Sequence, residues 1–262
     1  MSQQDPYTTP ESSLYGGEPT STPAPAVPLT EILVGVFTEP GALFEKLRAR
    51  SDWWPPMLLM LGMTLVMSLV WVLKADHGAA TEMRFEVMAQ AFGTQIPDQV
   101  ITEAVDKAAQ SRPIVGTLLG ALFGPWVGAA IIGLLSWGLA RLSQPLATEP
   151  ASFRQGFTLA VVHQLVMLPA WVGTLLVMAL KPVGAMSVMA LNPFTVGFFV
   201  RPENPWARGL MVGVLDPLYL LSYAVLAIGM SRMLQAKTWA IVVALVLMAF
   251  FGVGGRLFGG MF

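Results

Sequence analysis

Long uncharged stretches separated by short charged ones dominate the chain. Residues 53–73 hold no charge and Lys74 closes the run; further apolar runs lie within 113–140, 157–180, 209–231 and 238–255. Each is close to the ~20 residues that a helix needs to cross a hydrocarbon core. The pattern predicts an all-α, polytopic helical membrane bundle with five transmembrane helices. Residues 74–112 read as a polar loop with helical stretches, in which Val100, Ile101, Ala104 and Val105 keep a weak apolar stripe. Only about six residues join the last two runs, so these helices form an antiparallel hairpin. Residues 182–200 are uncharged, but Gly184, Asn192, Pro193 and Gly197 break any continuous helix. They read as a re-entrant or surface-lying connection, with a further span as the alternative.

Ahead of the first span the period changes. Ile32, Leu33, Val36 and Phe37 recur at helical spacing, Thr38 and Pro40 interrupt, and Leu43, Phe44 and Leu47 make a second short stripe. Lys46, Arg48 and Arg50 follow, then Trp53 and Trp54. Basic residues beside an apolar helical face, with indoles at the boundary, suit N-terminal interfacial helices in the headgroup layer over 29–52; the alternative is a plain flank of the first span. Residues 1–28 are rich in Pro, Ser and Thr and lack Lys and Arg. They read as a disordered tail, because such a composition buries too little apolar surface to offset its ordering entropy, and they lack the basic start of a signal peptide. The membrane domain then covers 53–260.

Composition narrows the function classes. The chain is 55% hydrophobic and 12% charged, against roughly 25% charged in soluble domains, which argues against a water-soluble fold. Net charge is −1, with no basic patch of the kind that tracks phosphates, so nucleic acid is not an expected partner. Cysteine is absent, and His77 and His163 are the two imidazoles. Disulfides, thiolate chemistry and ordinary zinc sites are therefore largely excluded, carboxylate-bound ions stay open, and no metal or cofactor is expected. No nucleophile and base stand at a recognisable spacing, and the terminal glycines follow no strand as a phosphate loop would, so an enzyme is not expected. Met57, Met60, Met63 and Met67 read as apolar filler rather than as a soft-metal site.

Orientation follows from basic residues near the span ends. With the N-terminus inside, Lys46, Arg48, Arg50, Arg141, Arg154, Arg232 and Lys237 are cytoplasmic, leaving eight outside. The inner group occupies shorter loops, whose charges count most, giving N-inside and C-outside.

Two features inside the spans are candidates for function. Gly116, Gly120, Gly124 and Gly128 line one face of the second helix at four-residue spacing, the geometry of close helix contacts in lipid. That face serves internal packing, a homodimer, or a pivot with Pro125. Ionisable groups within spans are costly and mark functional hypotheses; here they are Asp216 and His163, with Gln164, Tyr219 and Tyr223 nearby in sequence. If their spans pack together, carboxylate and imidazole could relay a proton or contact a polar solute. Otherwise Asp216 caps the helix that begins at Pro217, and His163 bonds a neighbouring helix.

The motif Glu39-Pro40, Phe44, Leu47-Arg48 and Trp53-Trp54-Pro55 resembles the start of the Yip domain family (Ypt-interacting proteins), particularly its bacterial branch. Phe153-Arg154-Gln155-Gly156 before a span with Pro169 is similar to the family's third span. Asp216 with Leu218-Tyr219, then Leu226, Ile228 and Gly229, is similar to its Asp-initiated span. The resemblance covers roughly 34–255. It implies a five-span domain with a cytosolic N-terminus in the bacterial cytoplasmic (inner) membrane, and it supplies no catalytic residues. Eukaryotic relatives are associated with prenylated small GTPases; a bacterial chain would have no such partner. Two classes remain: a scaffold or organiser binding lipids, other membrane proteins or itself, and a small-solute or ion transporter or channel using the polar groups within its spans.

Overall fold

The structure, a computed structural model, describes residues 26–110, 113–144, 150–200 and 202–261. All but the last three residues of the 1–28 tail lie outside the described residues. Helix α1 (Leu29–Thr38) ends where the N–H of Glu39 bonds the Gly35 carbonyl, and α2 (Pro40–Ala49) starts at once. Pro40 suits that first position, because its φ is preset and its missing N–H would have no helical partner there.

These two helices depart from the interfacial expectation in one respect. Ile32, Val36, Leu43, Phe44 and Leu47 are buried in the main core of the protein, so the apolar stripes of both helices are covered by the bundle and not by lipid. Amphipathicity shows that a face needs covering; it does not say by what. Val34, Phe37 and Trp54 remain exposed.

Helix α3 (Trp54–Lys74) follows, with Pro55 and Pro56 in its first turn. The polar loop of the sequence folds as two helices, α4 (His77–Phe92) and α5 (Asp98–Gln110), packed on each other. Asp76 caps α4 by accepting from the Ala79 N–H at 3.0 Å, and Gly93 ends it at φ 63°, a left-handed position that glycine takes at no steric cost. Helix α6 (Ile114–Ser143) continues through Pro125 as one helix.

The next segment long and apolar enough to cross a membrane is built from α7 (Phe153–Gln164), a 3₁₀ turn (Leu165–Met167) and α8 (Leu168–Leu180). Pro169 falls in the first turn of α8, where its missing N–H is tolerated after the tightened turn. Ser152 and Gln155 form a reciprocal capping box at the start of α7. Ser152→Ala is expected to lower stability by about 1 kcal/mol, measured by unfolding in detergent, with the Gln155 side chain still able to bond the cap N–H. A neutral result would show that α6 and α7 packing alone sets that helix start.

Residues 182–200 hold no helix of spanning length. They contain a 3₁₀ turn (Met189–Leu191) and the short α9 (Val196–Phe199). Two bonds tie this connection to the end of α3: Asp76 N–H to the Gly184 carbonyl at 2.9 Å and Trp71 Nε1–H to the Met186 carbonyl at 3.0 Å.

Then come α10 (Pro205–Gly209), a π turn (Leu210–Val214), α11 (Pro217–Arg232) and α12 (Thr238–Met261). The apolar run 209–231, expected as one helix, is broken at Leu215–Asp216, and its two halves are bent by 51°. Pro217 explains the break: it lacks an N–H to continue a helix and pushes Asp216 out of the α region. Among the described residues, four helical segments are long and apolar enough to cross a membrane, or five if the bent pair crosses as one.

Glycines set how closely the crossings approach. A Cβ on Gly156 would lie 2.6 Å from the Gly133 carbonyl oxygen, so α6 and α7 meet backbone to backbone. A Cβ on Gly229 of α11 would run into Leu159 of α7 and Phe44 of α2. Phe44 thus wedges α2 over the contact between α7 and α11.

Candidate functional site

Asp216 is fully buried at the break before α11. Its Oδ1 accepts the Leu218 and Tyr219 N–H groups at 2.9 and 3.2 Å, capping the helix. Its Oδ2 accepts from Asn192 Nδ2 at 3.1 Å and from Arg256 Nη2 at 3.2 Å. Four donors converge on one carboxylate: two from the first turn of α11, one from the connection after α8 and one from near the end of α12. The guanidinium of Arg256 also lies over the Tyr219 ring, 3.9 Å from its centroid, a favourable position against the ring's negative face. Its Nε is buried with no hydrogen-bond partner.

The two tyrosines continue the polar group along α11. Their hydroxyls are 2.6 Å apart, and Tyr223 donates to the Met248 carbonyl at 3.2 Å. Gly252 leaves room for both hydroxyls, which a Cβ there would meet.

Arg256, Tyr219 and Tyr223 form one wall of a cavity of about 890 Å³ between α6, α7, α8, α11 and α12. The rest of its lining is mainly apolar, including Ile131, Leu135, Met167, Trp171, Leu226 and Phe251. His163 and Gln164 also line it, but both turn partly to their own helix: His163 Nδ1 pairs with the Leu159 carbonyl at 3.3 Å, and Gln164 donates to Ala160 at 3.0 Å. Asp216 and His163 are therefore both buried yet share no hydrogen bond. The imidazole–carboxylate relay considered from sequence is not assembled, and the carboxylate's partner is a guanidinium. Asp216 does not line the cavity; the residue it holds does.

The family is decided by a match along the chain. A family model of the Yip1 domain covers residues 34–257. This chain belongs to the Yip1 domain family. No curated protein and no solved structure matches it.

Within this Yip1 domain the motif residues have distinct structural tasks. Arg154 Nε donates to the Ser51 carbonyl at 2.8 Å, and its Nη2 reaches Asp52 at 3.5 Å. Gln155, besides capping α7, donates to the Arg48 carbonyl at 3.0 Å. Arg50 pairs with the same Asp52 at 2.8 Å, and Arg232 at the end of α11 pairs with Glu45 of α2 at 2.9 Å. These contacts gather Lys46, Arg48, Arg50, Arg154 and Arg232 at one end of the bundle. Lys46 bonds Glu31, and that hydrogen bond and the adjacent carboxylate charge hold its ammonium pKa above the usual lysine value. Trp53 is packed edge-on against Trp126 and Phe157, at ring-centroid distances of 5.5 and 5.3 Å, so one of the two indoles assigned to the boundary is a core contact.

Gly116, Gly120, Gly124 and Gly128 show the opposite of close packing: a Cβ on any of them would meet nothing within 4 Å. No described element fills that face. The internal-packing reading is corrected accordingly, and the glycines that do bring helices together are Gly133, Gly156 and Gly229. In this Yip1 domain the sequence had also passed over Asn192 and Arg256 as parts of a site. Arg256 at the end of the last apolar run was the available signal, since a guanidinium there calls for a counter-charge.

Proposed function

We propose that this membrane protein is a non-enzymatic scaffold of five spans, placed in a bacterial cytoplasmic membrane with its N-terminus and basic end in the cytoplasm. It assembles with a second membrane-embedded helix through the glycine face of α6. The observation that carries the reading is that open face, flanked by the exposed side chains of Val115, Leu119, Phe123 and Val127. Small residues between larger ridges let a second backbone approach closely in lipid, where dispersion contacts drive association. The basic residues gathered at one end support the orientation through the excess of Lys and Arg on cytoplasmic loops. The bent pair supplies the fifth crossing, and the docked α1 and α2 keep their charged edge at the headgroup layer.

Because the chain lacks cysteine, Gly120→Cys gives a single thiol for crosslinking in native membranes. A specific disulfide or bifunctional adduct is expected from Gly120→Cys and not from a cysteine at exposed Val172 on α8. Gly120→Leu is expected to change folding stability by no more than about 0.5 kcal/mol while the adduct partner no longer co-purifies. Equal crosslinking at both positions would overturn the reading.

A further inference from the structure

The cavity has a size, a polarity and a depth that together specify an occupant. At about 1.5 Å per residue, α12 rises about 27 Å from Thr238 to Arg256, which sets Arg256 near the far edge of a ~30 Å hydrocarbon core. The near edge is marked by Ser143, whose hydroxyl accepts the Lys237 N–H at 3.1 Å. Along α12 the cavity lining runs from Met248 to Arg256, about 12 Å of helix. Along α6 it runs from Gly128 to Leu135, about 10 Å. The cavity thus occupies the half of the membrane on the Arg256 side, apolar toward the midplane and polar at its outer end.

Arg256 is not used up by the fold. One terminal nitrogen is held by Asp216 and the guanidinium plane is steadied by Tyr219, yet Nε is buried without a partner. Buried donors are nearly always satisfied. The hydrogen bonds of the fold engage Nη2, the side chain keeps 17% of its surface open, and the remaining terminal nitrogen of a guanidinium so fixed is suited to the charge-assisted bonding that phosphate oxygens accept. The tyrosine hydroxyls are committed to each other and to Met248, which leaves Arg256 as the cationic donor at that end.

We propose that the cavity holds one acyl chain of a membrane phospholipid from the adjoining leaflet, with the lipid phosphodiester on Arg256. The chain lies among Ile131, Leu135, Leu226 and Phe251. Asp216 and Asn192 act as positioning residues that aim the guanidinium. The cavity meets the α6 glycine face at Gly128, and lipid binding there needs no partner helix on Gly116, Gly120 and Gly124.

The test uses the full chain in mild detergent, with native mass spectrometry of retained lipid as the readout. Dioleoyl phosphatidylglycerol and dioleoylglycerol are the probes, and inorganic phosphate the competitor. The phospholipid is expected to bind about tenfold tighter than the phosphate-free lipid, the worth of one charge-assisted hydrogen bond. Inorganic phosphate is not expected to displace it. In Arg256→Gln the preference vanishes. Gly128→Phe places a ring in the cavity from a position with open space around its Cβ and is expected to remove lipid binding altogether while leaving the ion pair intact. Should Arg256→Gln fail to fold, the double variant Asp216→Asn with Arg256→Gln keeps the comparison. Equal binding of both lipids, displacement by inorganic phosphate, or unchanged lipid retention in folded Gly128→Phe would each overturn the proposal.

Discussion

Asp216→Ala is expected to cost about 3–5 kcal/mol of stability, because it leaves the Arg256 guanidinium largely buried without its counter-ion. The same substitution strips the cap from α11 and releases Asn192, which otherwise fixes the connection between α8 and α10. The loss is expected to come mainly from the stranded charge. Replacing both partners together, Asp216→Asn with Arg256→Gln, is therefore expected to recover most of it, since removing a buried pair is far less costly than breaking one. Unfolding by sodium dodecyl sulfate in mixed micelles, followed by tryptophan fluorescence, measures all three proteins. A loss below about 1 kcal/mol for Asp216→Ala, the ordinary effect of a point mutation, would mean that water reaches the pair and that Asp216 is only a helix cap.

Gly156→Leu is expected to cost about 3 kcal/mol, at the upper end of overpacking effects, and to separate α6 from α7. The added Cβ would meet the Gly133 carbonyl and the Trp137 side chain, at 2.6 and 2.8 Å. A carbonyl belongs to a helix and cannot turn aside as the tip of a long side chain can. The two crossings would have to move apart, loosening the aromatic cluster of Trp53, Trp126 and Phe157. A shifted near-ultraviolet circular dichroism signal with unchanged helix content reports that loosening. Gly120→Leu in the same assay serves as the matched control, because its Cβ enters open space. Equal behaviour of the two variants would contradict the packing described for α6.

The contrast between these glycines shows what a single sequence can convey. Gly116, Gly120, Gly124 and Gly128 stand out by their spacing, yet no described element packs on them. Gly133, Gly156 and Gly229 follow no period, and they set the distances between helices. Spacing defines a face, whereas the partner of that face is a matter of three-dimensional assembly. The same distinction applies to α2: its stripe of Leu43, Phe44 and Leu47 was evident, but only the fold shows that Gly229 receives Phe44. The apolar runs were legible because hydrophobic length answers to membrane thickness. The break in the fourth was obscured by the same averaging. Asp216-Pro217 is by itself a helix-start signal, and hydropathy summed across it reads as one span. Of the polar group around Asp216, Tyr219 lies close in sequence and was within reach of inspection. Asn192 and Arg256 lie on distant segments, and nothing local announces that they meet.

The brevity of α11 has a consequence for the surrounding lipid. From Pro217 to Arg232 it has 16 residues, about 24 Å of helix, some 6 Å less than the thickness of an average hydrocarbon core. On the five-span reading the missing length comes from the bent segment Pro205–Val214, which leans 51° from α11. This flank then meets the surrounding lipid as a broken, slanted wall rather than a straight rod, and acyl chains beside the bend must tilt to follow it. Irregular backbone at that depth needs polar partners from the protein, and Asn192 and Arg256 supply them at Asp216.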